Sequence, residues 1–301
     1  FSVPILKNTS MIDRLFTIES ADCFRVLAQE FDYLYSLDKD LRAAALAMQV
    51  KAHHRKGYAL SPWGTLDIFN DSSQYALLLG LDDNLKFFNN LKTYQETIYQ
   101  IAELSYERDP YVYKCDPVSL QKAKKIIDEL KIPGSGPKIG LNTGCGSVFA
   151  TKKWPSSHFK LLAERLRKSL DARIFLLGGE KEQLENETIA NEFTGEIANT
   201  KSHSLDVFAG LLHEMDCIVT SDSMALHLAL AVRTQTIALF GPTCAQEIDF
   251  YDNGQALIAK RECCPCYRSH CLFETSCMAE LTPEMVENAI LEGFKRHRRS
   301  R

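Results

Sequence analysis

The sequence has no apolar run near the roughly 18 residues that a membrane-spanning helix needs. Its longest runs, such as Ile237–Phe240, are strand-sized. No secretory signal is seen, and there is no initiator Met. Phe1-Ser2-Val3-Pro4 reads as mid-chain sequence, so the natural start is expected upstream of Phe1. Positive charge is not in excess: Lys+Arg 35 against Asp+Glu 39 leaves a formal net charge of −4. That argues against a nucleic-acid-binding surface, which wants a broad basic face. Glycine (15) and proline (10) are sparse in 301 residues, with 45% apolar and 25% charged residues. Collagen-like, disordered and coiled-coil chains are excluded by these proportions. Internal repeats and low-complexity tracts are missing too. A chain of this length ordinarily forms two domains of about 100–200 residues.

Cysteine, by contrast, is abundant, with ten in the chain. Cys23, Cys115, Cys145, Cys217 and Cys244 are scattered and read as small buried apolar residues. The other five, Cys263, Cys264, Cys266, Cys271 and Cys277, crowd into fifteen residues.

The second half of the chain is the more legible. Lys138–Asn142, Arg173–Leu177, Cys217–Thr220 and Gln235–Phe240 are apolar runs of strand length. Each stops at small or turn residues: Thr143-Gly144-Cys145-Gly146, Gly178-Gly179, Ser221-Asp222-Ser223 and Gly241-Pro242-Thr243. Continuous apolarity predicts strands covered on both faces, as in a parallel sheet. Helical spacing separates them, over Phe159–Leu170 after Pro155-Ser156-Ser157, over Leu205–Leu212 after Ser204, and over Met224–Val232. Strand–helix alternation predicts a doubly wound α/β domain, with ligands beyond the carboxyl ends of the strands.

The first half is less regular. Ile12–Ile18 and Phe31–Ser36 read as strands. Leu41–Met48, Thr93–Leu104 and Ser119–Leu130 read as helices, and Asn84–Asn90 as loop. Lys131–Pro137 holds two Pro and two Gly and is the best linker. The expected domains are therefore 1–133 and 134–301, the first incomplete at its start.

Three stretches could carry chemistry. Ser221-Asp222-Ser223-Met224, with His227 one turn later, lies where a strand becomes a helix. Free N–H groups and the positive helix end suit a phosphate there. The same stretch also reads as a capped helix with a core histidine. Gly241-Pro242-Thr243 offers close backbone approach and a hydroxyl, or is an ordinary turn. Lys152-Lys153-Trp154-Pro155 follows the glycine-rich stretch Thr143–Ser147. Lys152 could reach a diphosphate, or the segment is a solvated basic loop with Trp154 as anchor. The stretch is not a Walker A loop, whose spacing and Gly-Lys-Ser/Thr it lacks.

In this order, Lys152-Lys153-Trp154-Pro155, Ser221-Asp222-Ser223 with His227, and Leu239-Phe240-Gly241-Pro242-Thr243 closely resemble the family-9 glycosyltransferases, the ADP-heptose:lipopolysaccharide heptosyltransferases. Leu176-Leu177-Gly178-Gly179 and Cys263-x-Pro265-Cys266, closed by Cys277-Met278, fit the same family. The match is good over 138–290. It is thinner over 12–130, where Ile12-Asp13-Arg14 and Tyr35-Ser36-Leu37-Asp38 fit. The resemblance implies a GT-B fold, two Rossmann-like domains facing a cleft, the second binding a nucleotide-sugar and the first the acceptor. It implies that Lys152 meets the donor phosphates and that backbone N–H groups at Asp222, Ser223 and Met224 hold the diphosphate. His227 would support that turn, and Thr143, Gly144, Gly241, Pro242 and Thr243 would complete the donor site. Glu182 would take the ribose, with Glu180 and Glu185 as alternatives. Asp38 is an acceptor-side carboxylate.

The implied reaction is inverting transfer of a sugar, a heptose from ADP-heptose, onto a lipopolysaccharide-core or related lipid-linked glycan. No metal is required for catalysis. The general base of the family is expected upstream of Phe1. Met224 stands where the family usually has glycine, and its side chain would narrow the phosphate site. Competing readings are a sugar-nucleotide epimerase of GT-B fold and a non-catalytic nucleotide-sugar-binding scaffold.

Cys263-x2-Cys266-x4-Cys271-x5-Cys277 supplies four thiols, and its first half has structural-metal spacing. A structural Zn or Fe site is one expectation; reduced thiols or disulfides are the others. The tail Lys295–Arg301 is strongly basic. It would touch anionic lipid on the cytoplasmic face of the inner membrane, or be solvated. A cytoplasmic setting follows from this reading.

Overall fold

The computed structural model describes residues 3–146 and 148–299. Two compact units are present. The smaller is Ser10–Asp109 with Gln246–Asp249, and the larger is Pro110–Ala245 and Phe250–Arg301 with the first nine residues. The first described element, α1 (Val3–Leu6), belongs to the larger unit.

The smaller unit contains α2 (Cys23–Leu27), β1 (Glu30–Ser36), α3 (Leu41–Gln49), β2 (Lys51–Leu60), β3 (Leu66–Ile68), α4 (Gln74–Leu78) and α5 (Tyr94–Ala102). Parallel β1 and β2 are joined by α3, as a parallel pair requires a crossover. Asp40 caps α3 by accepting from the Arg42 N–H at 2.8 Å. At Gly57, φ is +102°, and a Cβ would lie 2.0 Å from the Ser36 carbonyl oxygen. That conformation lets β2 leave β1 and pair antiparallel with β3.

β1, α3 and α5 fall where the sequence predicted regular structure. Ile12–Ile18 does not: it is irregular, not a strand. Among the described residues the sheet order β1-β2-β3 gives it no ladder, and Met11, Ile12, Leu15 and Ile18 are exposed. Asn84–Asn90, read as loop, includes a π-helical turn at Leu85–Asn89. Strand β2 was not predicted. Its run Lys51-Ala52-His53-His54-Arg55-Lys56 is polar, and pairing with β1, not hydrophobicity, makes it a strand.

The larger unit continues with α6 (Pro117–Glu129), β4 (Lys138–Asn142), α7 (Ser156–Leu170), β5 (Arg173–Leu177), α8 (Gln183–Glu192), β6 (Ile197–Asn199), α9 (Leu205–His213), β7 (Cys217–Ser221), α10 (Met224–Ala231), β8 (Gln235–Phe240), β9 (Gly254–Ile258) and α11 (Pro283–Arg299). All six strands are parallel, in the order β6-β5-β4-β7-β8-β9. Counted from β4, this is the 3-2-1-4-5-6 order of a dinucleotide-type doubly wound sheet. One layer packs Leu162, Leu166, Val286 and Ile290 under one sheet face. The other packs Phe208, Leu211, Leu212 and Leu228 over the opposite face. Burial on both sides explains why these strands read as unbroken apolar runs.

The unit division lies at Asp109/Pro110, not at the expected 133/134. Helix α6 packs on α9, where Gly210 leaves room: a Cβ there would come within 2.8 Å of the Ala123 Cβ. The Pro/Gly-rich stretch Lys131–Pro137 is therefore an internal loop of the larger unit, pinned by Ser135, whose N–H and hydroxyl both donate to Asp171 at 2.8 Å.

Candidate functional site

The parallel register aligns the carboxyl ends of β4, β5, β7 and β8 along one edge. The strand order reverses between β4 and β7, and there the connecting loops leave in opposite directions. Such a switch point is where ligands seat in open α/β sheets.

Asn142, the last residue of β4, knits this point. Its Nδ2 donates to the Gly144 carbonyl at 2.7 Å, to Thr220 Oγ1 at 3.0 Å and to Ser223 Oγ at 3.5 Å. Thr220 and Ser223 hydroxyls are 3.0 Å apart. The turn before α10 is thus held by side chains from beneath; the Leu226 N–H donates to the Ser223 carbonyl at 3.0 Å, and the Met224 and Ala225 N–H groups have no acceptor within the helix. Met224, the first residue of α10, is 40% exposed at this edge.

Lys152 arrives from a 3₁₀ turn, Ala150–Lys152, between β4 and α7. Its Nζ lies 3.5 Å from Asp222 Oδ2, and the two side chains are only 13% and 22% exposed. Trp154 anchors that turn: it is fully buried, and its indole N–H donates to the Leu281 carbonyl at 2.8 Å. Trp154 is the anchor read from sequence, but Lys152 is not solvated: its side chain is turned toward Asp222. Lys153 points elsewhere, to Glu185 at 2.5 Å.

Glu182 joins the β4 and β5 ends. Its Oε2 accepts from the Gly179 N–H at 2.9 Å. A Cβ on Gly144 would meet the same carboxylate at 3.3 Å. Of the three glutamates weighed from sequence, Glu182 is at the loop and Glu185 is committed to Lys153. Thr143 is buried and its hydroxyl donates to Asn186 Oδ1 at 2.7 Å, so its side chain braces the sheet.

His227 is half-buried on the first turns of α10. Its Nδ1 is 2.9 Å from the Tyr111 hydroxyl, 116 residues away in sequence, and the rings meet edge-on. Burial lowers its pKa below the ordinary value; Asp222 opposes this and Lys152 adds to it. Burial thus favours the neutral imidazole beside the Lys152–Asp222 pair.

Gly241, Pro242 and Thr243 are buried beneath the cysteine-rich segment. A Cβ on Gly241 would lie 2.6 Å from Cys277 Sγ and 2.9 Å from Met278 Sδ. The Pro242 carbonyl accepts from the N–H groups of Cys266 at 3.0 Å and Tyr267 at 2.8 Å. The Thr243 hydroxyl is buried without a hydrogen-bond partner.

All ten cysteines carry free thiols. Cys264 donates to Cys277, which with burial pushes its own thiol pKa up. Among the described residues no group of three or more His, Cys, Asp or Glu is arranged to hold a metal ion. The set expected from spacing, Cys263, Cys266, Cys271 and Cys277, is not assembled. Cys271 is exposed, while Cys263 and Cys266 lie near enough to Cys277 to act on it electrostatically. Cys264, not Cys271, comes to Cys277.

Asp38 belongs to the smaller unit, where it is exposed and accepts from the Asp40 N–H at 2.9 Å before α3. Ser147 of the glycine-rich stretch, and Ser300 and Arg301 of the basic tail, lie outside the described residues. No helix among the described residues is long and apolar enough to cross a membrane.

Sequence reasoning missed Asn142 and Tyr111 as parts of the site. Asn142 carried a signal, a polar residue ending an apolar run before a glycine-rich turn. Tyr111 carried none, since only the tertiary fold brings it to His227.

Residues 23–276 match the family model for glycosyltransferase family 9 (heptosyltransferase). Lipooligosaccharide heptosyltransferase 2 of Campylobacter jejuni serotype O:2 is 29% identical over 177 residues, 57% of this chain and 51% of that protein. Lipooligosaccharide heptosyltransferase 2 of Haemophilus influenzae is 26% identical over 237 residues, 73% of this chain and 63% of that one. The match thus spans about half to under two-thirds of these relatives' length. Among solved structures, E. coli ADP-heptose LPS heptosyltransferase II superposes with TM-score 0.60 at 16% identity, over 92% of this chain and 80% of that one. A family 9 glycosyltransferase of Veillonella parvula gives 0.67 at 13%, over 91% and 77%. These likenesses show a shared GT-B fold. With a family model matched over most of its length, the chain belongs to glycosyltransferase family 9.

Proposed function

We propose that the chain is an inverting glycosyltransferase that takes a heptose from ADP-heptose and places it on a lipopolysaccharide-core or related cell-envelope glycan. The observation that carries this is Lys152 held 3.5 Å from Asp222 at the sheet switch point, beside the N-terminus of α10. A nucleoside diphosphate seated there meets a partly desolvated ammonium and the Met224 and Ala225 N–H groups at the start of α10. Both stabilise the charge that grows on the diphosphate as the glycosidic bond to it breaks.

The remaining roles follow the edge outward. Glu182, beside Gly144, takes the ribose hydroxyls. Thr243 offers a hydroxyl that has no protein partner. His227 supports the α10 turn as a neutral imidazole. The acceptor hydroxyl attacks the anomeric carbon from the side opposite the diphosphate and loses its proton to a general base. None of the described residues is assigned that role. The smaller unit is the acceptor side, and the enzyme works on the cytoplasmic face of the inner membrane.

Calorimetric binding of ADP, UDP, GDP and ADP-heptose tests the reading on the 301-residue chain. We expect ADP to bind in preference to UDP and GDP. Lys152→Ala should weaken it by about tenfold or more, the worth of one charge-assisted hydrogen bond. A folded chain that binds none of these nucleotides would overturn the proposal. Turnover of ADP-heptose without any acceptor would favour an epimerase instead.

A further inference from the structure

Within the larger unit, the residues from Pro110 to Cys115 run without helix or strand before α6. Alternate residues of this stretch turn inward: Val112 is 64% exposed, while Tyr111 and Tyr113 are partly buried. Tyr113 donates to Asp206 Oδ1 on α9 at 2.9 Å, and that carboxylate is buried and also pairs with Lys7. Two residues earlier, the Tyr111 hydroxyl lies 2.9 Å from His227 Nδ1 on α10. The Tyr111 ring packs edge-on against both His227 and Tyr251, with centroids 5.8 and 5.6 Å away. The phenol is thus placed by its own ring and by the Tyr113 anchor, apart from the hydrogen bond it makes.

A neutral imidazole carries one N–H and one lone pair. Which nitrogen keeps the proton is set by what the other nitrogen bonds. A phenol is a better donor than a neutral imidazole N–H, and an imidazole nitrogen is a better acceptor than a phenol oxygen. The pair is therefore O–H to Nδ1, which leaves the proton on Nε2. Nε2 makes no hydrogen bond among the described residues and is not sealed from solvent, so a ligand can reach it. The charges that act on this ring are those of Asp222 and Lys152, the pair at the switch point. An N–H at this place adds to the ammonium and the helix-end donors as charge grows on a departing diphosphate. A lone pair there would oppose that charge.

We infer that Tyr111 is a positioning residue of the donor site: by donating to Nδ1 it holds His227 in the Nε2–H tautomer, and Nε2–H hydrogen-bonds the donor's diphosphate. This role rests on reading the switch point as a nucleoside-diphosphate site.

Long-range ¹H–¹⁵N spectra of the chain with ¹⁵N-labelled histidine read the tautomer, the His227 signals being identified by their loss in His227→Gln. We expect Nε2–H in the wild type and a mixture of tautomers in Tyr111→Phe. Nδ1–H in the wild type overturns the assignment. ADP calorimetry reads the consequence. Tyr111→Phe should raise the Kd for ADP about fivefold, the worth of one hydrogen bond. His227→Gln supplies an amide N–H near the place of Nε2 with no tautomer to set, so in that background Tyr111→Phe should change the Kd by less than about twofold. An equal loss in both backgrounds makes Tyr111 a structural support and overturns its positioning role. Unchanged ADP affinity in Tyr111→Phe alone overturns the role while leaving the transferase reading intact. A folded wild-type chain that binds no nucleotide sinks the transferase reading and this role with it.

Discussion

At the scale of single residues, His227 shows how burial sets chemistry. Its ring is tied to Tyr111, and its pKa is lowered by burial more than Asp222 raises it. Between that lowered value and the ordinary 6.5, the unfolded chain binds the proton and the folded chain does not. Stability therefore rises with pH through this window, is complete above 6.5, and falls as the solution is acidified. We expect the denaturation midpoint to fall between about pH 7 and about pH 5, and to fall less in His227→Gln. An identical fall in both proteins would mean that His227 is charged or solvated. Met224 illustrates the opposite limit of sequence reading. The departure from the family's usual glycine was visible at once, but its direction was not. Its 40% exposure shows a side chain standing at the edge of the switch point rather than packed beneath it.

At the scale of elements, close packing of α6 on α9 decides where the larger unit begins. Gly210 faces Ala123, and an added Cβ would sit 2.8 Å from a carbon fixed to the α6 backbone. At Gly140 an added Cβ would meet Ile218 Cδ1 and Leu177 Cδ1, both at 2.6 Å. Those are the far ends of side chains that can turn aside. Gly210→Ala should thus cost about 1–3 kcal/mol despite the better helix propensity of alanine, and Gly140→Ala less. Urea midpoints of the two variants check this. A larger loss at Gly140 would show that α6 is not docked through Gly210. The cysteine-rich segment is an element of the same kind. It covers the Gly241–Thr243 turn through backbone hydrogen bonds from Cys266 and Tyr267.

At the scale of the whole molecule, the apolar core is unevenly shared. Buried side chains of the larger unit include Trp154, Phe159, Phe175 and Phe240. Those of the smaller unit are mostly alanines, with Val50, Tyr58, Leu79 and Ile101. Phe24, Tyr33 and Tyr35 are exposed there. Buried apolar area is the main favourable contribution to folding, so stability should follow this division. Hydrogen exchange should be slowest in β4, β5, β7 and β8 and faster in β1 and β2. Equal protection in the two sets would show that the units unfold together.

The sequence alone was sufficient for the doubly wound class of the larger unit and for four of its six strands, β6 and β9 being missed. Four strands covered on both faces are written as continuous apolar runs, and the turns that end them are written in Gly, Ser, Asp and Thr. Lys152, Asp222 and His227 could be singled out as candidates from the turns that follow strands, whereas Glu182 came only from the resemblance. The resemblance narrowed the chemistry to a nucleotide-sugar donor. Strand β2 was beyond sequence, because a polar run becomes a strand only when β1 supplies its hydrogen bonds. So was the boundary at Asp109/Pro110, since a Pro/Gly-rich stretch marks a loop and not which side of it packs on which core. Tyr111 beside His227 and Cys264 beside Cys277 depend on contacts between residues far apart in the chain. Local pattern records what each segment buries, and only tertiary packing decides against what.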